Sequence, residues 1–308
     1  MIIDTHVHMY PGLDYGLQKL GIDFDTQKLP FKKLKSIGLK PRQKWNMMMQ
    51  DAASNMRKLP QKALPFVEKA HALSTIGNVA ICCSKEDLIK SMDENGIDKS
   101  IVIAHPPLIP NEFILEECNN NDRLIPVVNI PNTVNEPKRV LRDYVEQGAV
   151  ALKIHAAADG KQNKDNHYRL LLEQANELKL PVIIHTGCIH IQPAYKDPDM
   201  GHAKHFEPWF KEYPNIKFVL AHMNYHYPET AIEFCENYSN VYCDCSWQPA
   251  EIIDEALKRI PKKIMFGTDW PLIGSNQTTM VKRTESLMID EALKEQFYKQ
   301  TAQKVFKL

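Results

Sequence analysis

In this sequence, imidazole and charged side chains fall at the ends of short apolar runs, where packing alone would favour Val or Ile. His6 and His8 close a run that begins at Ile2, Lys153 and His155 close another, and His185, His222 and Asp269 close three more. Residues two apart in an extended chain point the same way, so Asp4, His6 and His8 should share a face, as should Lys153 and His155. Convergent neutral imidazoles with one carboxylate form a donor set for Zn²⁺ or another borderline divalent ion, whereas Mg²⁺ would want mostly oxygen. An open position on such an ion brings the pKa of bound water down to about 7, which is hydrolytic equipment. A single buried histidine is more often a packing residue. Five at strand ends, with an aspartate, point to a site.

Eight elements must position these groups. Apolar runs of the kind that form buried parallel strands lie at Ile2 to His8, Ser100 to His105, Leu124 to Ile130, Ala149 to His155, Pro181 to His185, Ile216 to His222, Val241 to Cys245 and Lys263 to Asp269. Between them lie segments with helical spacing and caps: one opens at Ser84-Lys85-Glu86-Asp87 and ends before Gly96, and another runs from Pro137 to Gln147. Others run from Tyr168 to Leu178, Glu207 to Tyr213, Pro228 to Asn237 and Pro249 to Arg259. Strand and helix alternate throughout, which predicts an α/β fold, a (β/α)8 TIM barrel whose chemistry sits at the carboxyl ends of the strands. No G-x-G-x-x-G follows the first strand, which disfavours a dinucleotide-binding sheet.

The barrel should be a single domain over residues 1–308, with a helical insertion at 9–80 that is far longer than an ordinary βα loop. The insertion is rich in Lys and carries Met47, Met48 and Met49 together. Following the first strand, it would emerge at the catalytic face, where it suits either a lid or the contact of a homodimer. Balanced charge, 38 basic against 38 acidic residues, lacks the excess that a nucleic-acid partner would require. No membrane span or secretion signal is read, and seven scattered cysteines suit a reducing cytoplasmic setting. The partner expected is a small molecule.

The segments Asp4-Thr-His6-Val-His8, Leu152-Lys153-Ile-His155, Ile184-His185-Thr-Gly, Leu220-Ala-His222 and Phe266-Gly-Thr-Asp269-Trp-Pro resemble the amidohydrolase superfamily, specifically its amidohydrolase-related branch. That branch holds metal-dependent hydrolases, lactonases, and the aminocarboxymuconate-semialdehyde and γ-resorcylate decarboxylases. The resemblance runs from residue 2 to the final helix, where Gln303-Lys-Val-Phe306 resembles the family's closing segment, and leaves out the insertion. It implies that His6, His8, His185 and Asp269 hold the main metal, Zn²⁺ by the donor set. It implies His222 either at a second metal or as an acid, base or orienting group, and Asp269 also as the acceptor of the water's proton. Lys153 would be either a carbamate bridging two metals or a cation. The activity implied is metal-dependent hydrolysis of a small ester, lactone or amide of a carboxylic acid, with metal-dependent decarboxylation as the alternative.

Around that set, His155 reads as a substrate contact. Trp247 and Trp270 immediately follow the seventh and eighth strands, where aromatic walls would line a pocket, and Tyr10 and Asn224 follow the first and sixth. Cys243 and Cys245 share a strand face but lack a second pair at zinc spacing, so they read as core. His190, His202 and His205 read as solvated loop residues. No arginine cluster marks a phosphate or polycarboxylate; Arg42 and Arg57 fall in the insertion.

Overall fold

The computed structural model describes residues 1–11, 59–60, 62–70, 83–190, 196–272 and 276–308. Most of the insertion, including Met47 to Met49, Arg42 and Arg57, lies outside them. All eight apolar runs form strands: β1 (Ile3–Val7), β2 (Lys99–Ile103), β3 (Leu124–Asn129), β4 (Ala151–Ile154), β5 (Val182–Gly187), β6 (Phe218–Tyr225), β7 (Val241–Asp244) and β8 (Ile264–Met265). They pair in parallel in sequence order. The last segment returns to the first through Thr5 N to Phe266 O at 3.0 Å, Asp269 N to His6 O at 2.7 Å and His8 N to Trp270 O at 2.6 Å. The result is a (β/α)8 TIM barrel.

The predicted helices are present with their predicted stops. Ser84 caps Lys85–Glu94 through a full capping box with Asp87, and Asp165 caps Asn166–Leu178. Their apolar faces and the outward strand residues form one core cluster, in which Cys243 and Cys245 are packed as expected. A second cluster fills the lumen with alternate strand residues, such as Ile101 and Ile103, Ile125 and Val127, Ile183 and Tyr242. Ala302, Val305 and Phe306 of the helix Thr301–Phe306 join this cluster. The closing segment therefore completes the lumen packing.

The lumen period decides what stands above the plug. Two residues beyond Ile103, Val127, Ala151, Ile183, Tyr242 and Met265 come His105, Asn129, Lys153, His185, Asp244 and Gly267. Two strands break the period. On β1 the register slips between Asp4 and Val7, so three residues on β1 match two on β2. Opposite β5, His185 pairs with Ala221 but Gly187 pairs with Tyr225, so β6 carries two extra residues. The first slip corrects the expectation that Asp4 shares a face with His6 and His8. Asp4 instead bonds Thr268 through its N–H at 3.0 Å and hydroxyl at 2.6 Å, and the amide of Gln277 at 3.0 Å.

The end of β5 packs closely on the loop that follows it. A Cβ on Gly201 would overlap the Gly187 carbonyl oxygen, a backbone atom that cannot swing aside. Gly201→Ala should therefore cost about 1–3 kcal/mol, lowering Tm by several degrees in a thermal melt. An unchanged Tm would show that the backbone here yields.

Candidate metal centre and active site

His6 and His8 project from the irregular end of β1, and both rings are held by partners behind them. The Nδ1 of His6 stands 3.0 Å from Asp244 Oδ2, and the Nδ1 of His8 stands 2.9 Å from the carbonyl of Ile103. Both partners are acceptors, so each Nδ1 carries the proton and each Nε2 a lone pair. Those two Nε2 atoms face the same oxygen: Asp269 Oδ1 lies 3.3 Å from His6 Nε2 and 3.2 Å from His8 Nε2. Among the described residues, neither Asp269 oxygen accepts a well-formed hydrogen bond. The Trp247 indole comes close enough to favour the charged form without meeting hydrogen-bond geometry.

Three acceptors face one another, all buried. Three acceptors so placed call for shared positive charge between them, and around a divalent ion they form a ligand set. Ligand bonds of about 2.1 Å around a single ion separate neighbouring donors by about 3.0–3.4 Å, the separation seen here. His6, His8 and Asp269 thus fit a divalent ion. A second candidate group, His6, His222 and Asp244, has another explanation. Asp244 already receives His6 Nδ1–H, the His222 N–H at 3.1 Å, the Ser246 N–H at 3.0 Å and the Ser246 hydroxyl. It is a hub that orients ligands.

His222 reaches the site from the extra residues of β6. Its φ is 59°, followed by 47° at Met223 and 52° at Asn224, a left-handed run that no regular strand could adopt. Trp247 and Asp269 are left-handed as well, with φ of 66° and 59°. The His222 Nδ1 stands 2.7 Å from Ser246 Oγ, whose hydroxyl donates to Asp244, so Nδ1 is the donor and Nε2 carries the lone pair. Trp247 lies flat on the His222 ring, with centroids 4.0 Å apart and 7° between planes.

The remaining imidazoles continue the row. The His222 and His185 centroids are 5.0 Å apart, His185 and His155 stack at 3.9 Å, and His155 and His105 are 5.2 Å apart. His185, expected as a metal ligand, stands beside the trio without joining either ligand group. Lys153 Nζ lies 3.4 Å from His6 Nε2.

Burial sets the charge of the site. It pushes His6, His155, His185 and His222 well below the ordinary imidazole range and His8 to about 3, with Lys153 adding to the effect in each case. These rings are neutral, as metal ligands must be. Burial also lowers Lys153 to about 8 against the opposing pull of Asp269 and Asp244, and raises Asp269 well above the usual carboxylate range.

Other expectations resolve differently. Tyr10 is near the centre, its hydroxyl pushed up by burial and by the charges of Cys83 and Asp269. Asn224, expected to touch substrate, has both ends of its amide occupied: Oδ1 accepts from Ala203 N at 2.9 Å and Nδ2 donates to Tyr227 O at 2.9 Å. It holds the left-handed turn. Trp270, expected as a pocket wall, packs into the outer core and bridges Val7 instead. His190 is not a free surface residue, since its backbone N–H and Nδ1 meet Glu68 at 2.6 and 3.0 Å. Asp244, His105 and Asn129 escaped the sequence reading. The lumen period that continues from Tyr242, Ile103 and Val127 is the signal that finds them.

The model of the amidohydrolase family matches residues 3–308. No curated protein matches significantly. Among solved structures, the 5-carboxyvanillate decarboxylase of Novosphingobium aromaticivorans, with bound manganese and 3-methoxy-4-hydroxy-5-nitrobenzoic acid, has a TM-score of 0.66 at 14% identity. The likeness covers 100% of this chain and 97% of that one. The 2,6-dihydroxybenzoate decarboxylase from Rhizobium has a TM-score of 0.60 at 19% identity, over 74% of this chain and 89% of that one. A probable 2-pyrone-4,6-dicarboxylic acid hydrolase from Acinetobacter baumannii has a TM-score of 0.54 at 15% identity, over 72% and 88%. These likenesses share the fold. Among the described residues, no helix is long and apolar enough to cross a membrane.

Proposed function

We propose that this chain, which belongs to the amidohydrolase family, is a metal-dependent decarboxylase of small hydroxylated aromatic or similarly electron-rich carboxylic acids. The observation that carries the reading is the Lys153 ammonium beside the trio of His6, His8 and Asp269, its Nζ 3.4 Å from His6 Nε2. A cation next to a metal-sized ligand set offers two positive centres to the oxygens of an acid. The likeness to two decarboxylases of hydroxylated aromatic acids supports the same class, ahead of the hydrolysis expected from the sequence.

In decarboxylation the carbon–carboxyl bond breaks, CO₂ leaves, its electron pair stays on the substrate carbon, and a proton takes its place. The bound metal would supply positive charge that stabilises the electron-rich carbon through the substrate's oxygens. Lys153 pairs with the carboxylate and orients it. The neutral imidazoles and Trp247 remove water from around it, which disfavours the charged carboxylate relative to neutral CO₂. Asp269, whose carboxyl group stands at the ligand set, is the group placed to hold the proton that the carbon receives. Manganese, rather than the zinc expected from the donor types, is the proposed ion, because the manganese-bound neighbour spans almost the same chain. One ion is proposed, with Lys153 as an ammonium that carries no carbamate.

One observation favours hydrolysis as the second reading: His222, fixed with its Nε2 lone pair by Ser246 and Asp244, could accept a proton from water. Incubating the manganese-loaded protein with hydroxybenzoic acids and with lactones separates the two. We expect ¹³CO₂ from carboxyl-labelled acids, loss of the activity on chelation, and its return with Mn²⁺. Lactone opening without CO₂ release would replace the decarboxylase with the hydrolase.

A further inference from the structure

Beyond the metal trio, the barrel mouth has a polar wall on the far strands that the reaction as described does not use. His105 follows β2 at the position that continues the lumen period of Ile101 and Ile103. Asn129 ends β3 in line with Ile125 and Val127, and it is the register partner of Lys153 on β4. Both backbones are pinned. His105 N–H reaches Ile109 O at 2.9 Å and Ile109 N–H returns to His105 O at 3.0 Å. Asn129 exchanges its N–H and carbonyl with the side chain of Asn111 at 2.9 and 2.8 Å.

Among the described residues, neither the His105 imidazole nor the Asn129 amide makes a hydrogen bond, although Asn129 is only 7% exposed. Neither side chain is sealed off, so both are open to a partner that arrives with the substrate. His105 lies against His155, 5.2 Å between centroids, and burial together with His8 and Lys153 keeps it neutral. A neutral imidazole and an amide each present one kind of donor and one acceptor. That matches a hydroxyl group, which also donates and accepts; a carboxylate only accepts and is better served by Lys153.

We propose that His105 and Asn129 form a hydroxyl-binding subsite, so that the substrate carries a hydroxyl group in addition to the carboxylate held near Lys153. The subsite sets substrate preference, and it rests on the decarboxylase reading for the identity of the acid. Without the wall, affinity for a hydroxylated acid falls while that for its unhydroxylated parent does not.

The test is calorimetric binding to the manganese-loaded protein of 2,6-dihydroxybenzoate, 2-hydroxybenzoate and benzoate. Wild-type protein should prefer the hydroxylated acids to benzoate by about tenfold or more, the worth of one or two good hydrogen bonds. His105→Phe and Asn129→Leu keep the volume but lose the hydrogen bonds, and either should reduce that preference to about twofold; His105→Asn should restore part of it. Metal content and circular dichroism report folding for each variant. Preference intact in both His105→Phe and Asn129→Leu would overturn the subsite, as would a wild-type protein that does not distinguish the three acids. Failure of the decarboxylase reading looks different: the preference and its loss in the variants would stand, but no acid would release CO₂.

Discussion

His6→Ala, His8→Ala and Asp269→Ala should each leave the purified protein with less than about a tenth of an equivalent of bound metal and lower kcat/KM by at least about 10³-fold. The size follows from the arrangement. Each substitution removes one of three converging donors, and loss of the ion removes several kcal/mol of charge stabilisation, each 1.36 kcal/mol being about tenfold in rate. The apo protein should remain folded, since the lumen cluster below and the outer core contain none of the three residues. His185→Ala should weaken loading without abolishing it, because that ring stands beside the trio, 5.0 Å from His222 between centroids. Metal analysis by mass spectrometry, with melting curves of apo and loaded forms, checks all four. Full occupancy in the three ligand variants would refute the assignment.

The barrel was legible because burial of parallel strands on both faces leaves near-continuous apolar runs, and all eight became strands within a few residues of their expected bounds. The largest difference is at β8, where the ladder keeps only Ile264 and Met265. Its remainder, through Asp269 and Trp270, bonds to β1 as irregular chain, with Asp269 left-handed. Apolarity reports burial, not hydrogen-bond register, so the sequence could not distinguish the two.

The site was legible in part, for a related reason. Alternation placed His6 with His8 and Lys153 with His155 correctly, but it misplaced Asp4, because one extra residue on β1 shifts the face between Asp4 and His6. Alternation also says nothing of β6, where left-handed residues deliver His222 and turn Asn224 inward to backbone partners. Such conformations have a signature only in glycine-rich text, and this segment contains none. Asp244 was hidden for another reason. Flanked by Cys243 and Cys245, it reads as one polar residue in a small-residue strand, and its importance lies in four donors contributed by residues 2 to 238 positions away.

That convergence makes Asp244→Asn the sharpest test of how the ligands are held. The carboxylate accepts His6 Nδ1–H on Oδ2 and three further donors, from His222 and Ser246, on Oδ1. An asparagine has one acceptor oxygen, so either its amide N–H₂ faces the His222 and Ser246 donors or it faces His6. In the second placement His6 can answer only by moving its proton to Nε2, which removes the lone pair that points at the metal position. We therefore expect metal affinity to fall about 10- to 100-fold, the usual effect of losing an orienting partner behind a histidine ligand, with little loss of fold. Metal titration measures the first effect, and ¹⁵N chemical shifts of the apo protein read the His6 tautomer directly. Unchanged affinity with an unchanged tautomer would show that Asp244 does not orient the site. A loss as complete as in His8→Ala would instead make Asp244 a ligand, and would move the ion from the Asp269 side of His6 to the side shared with His222.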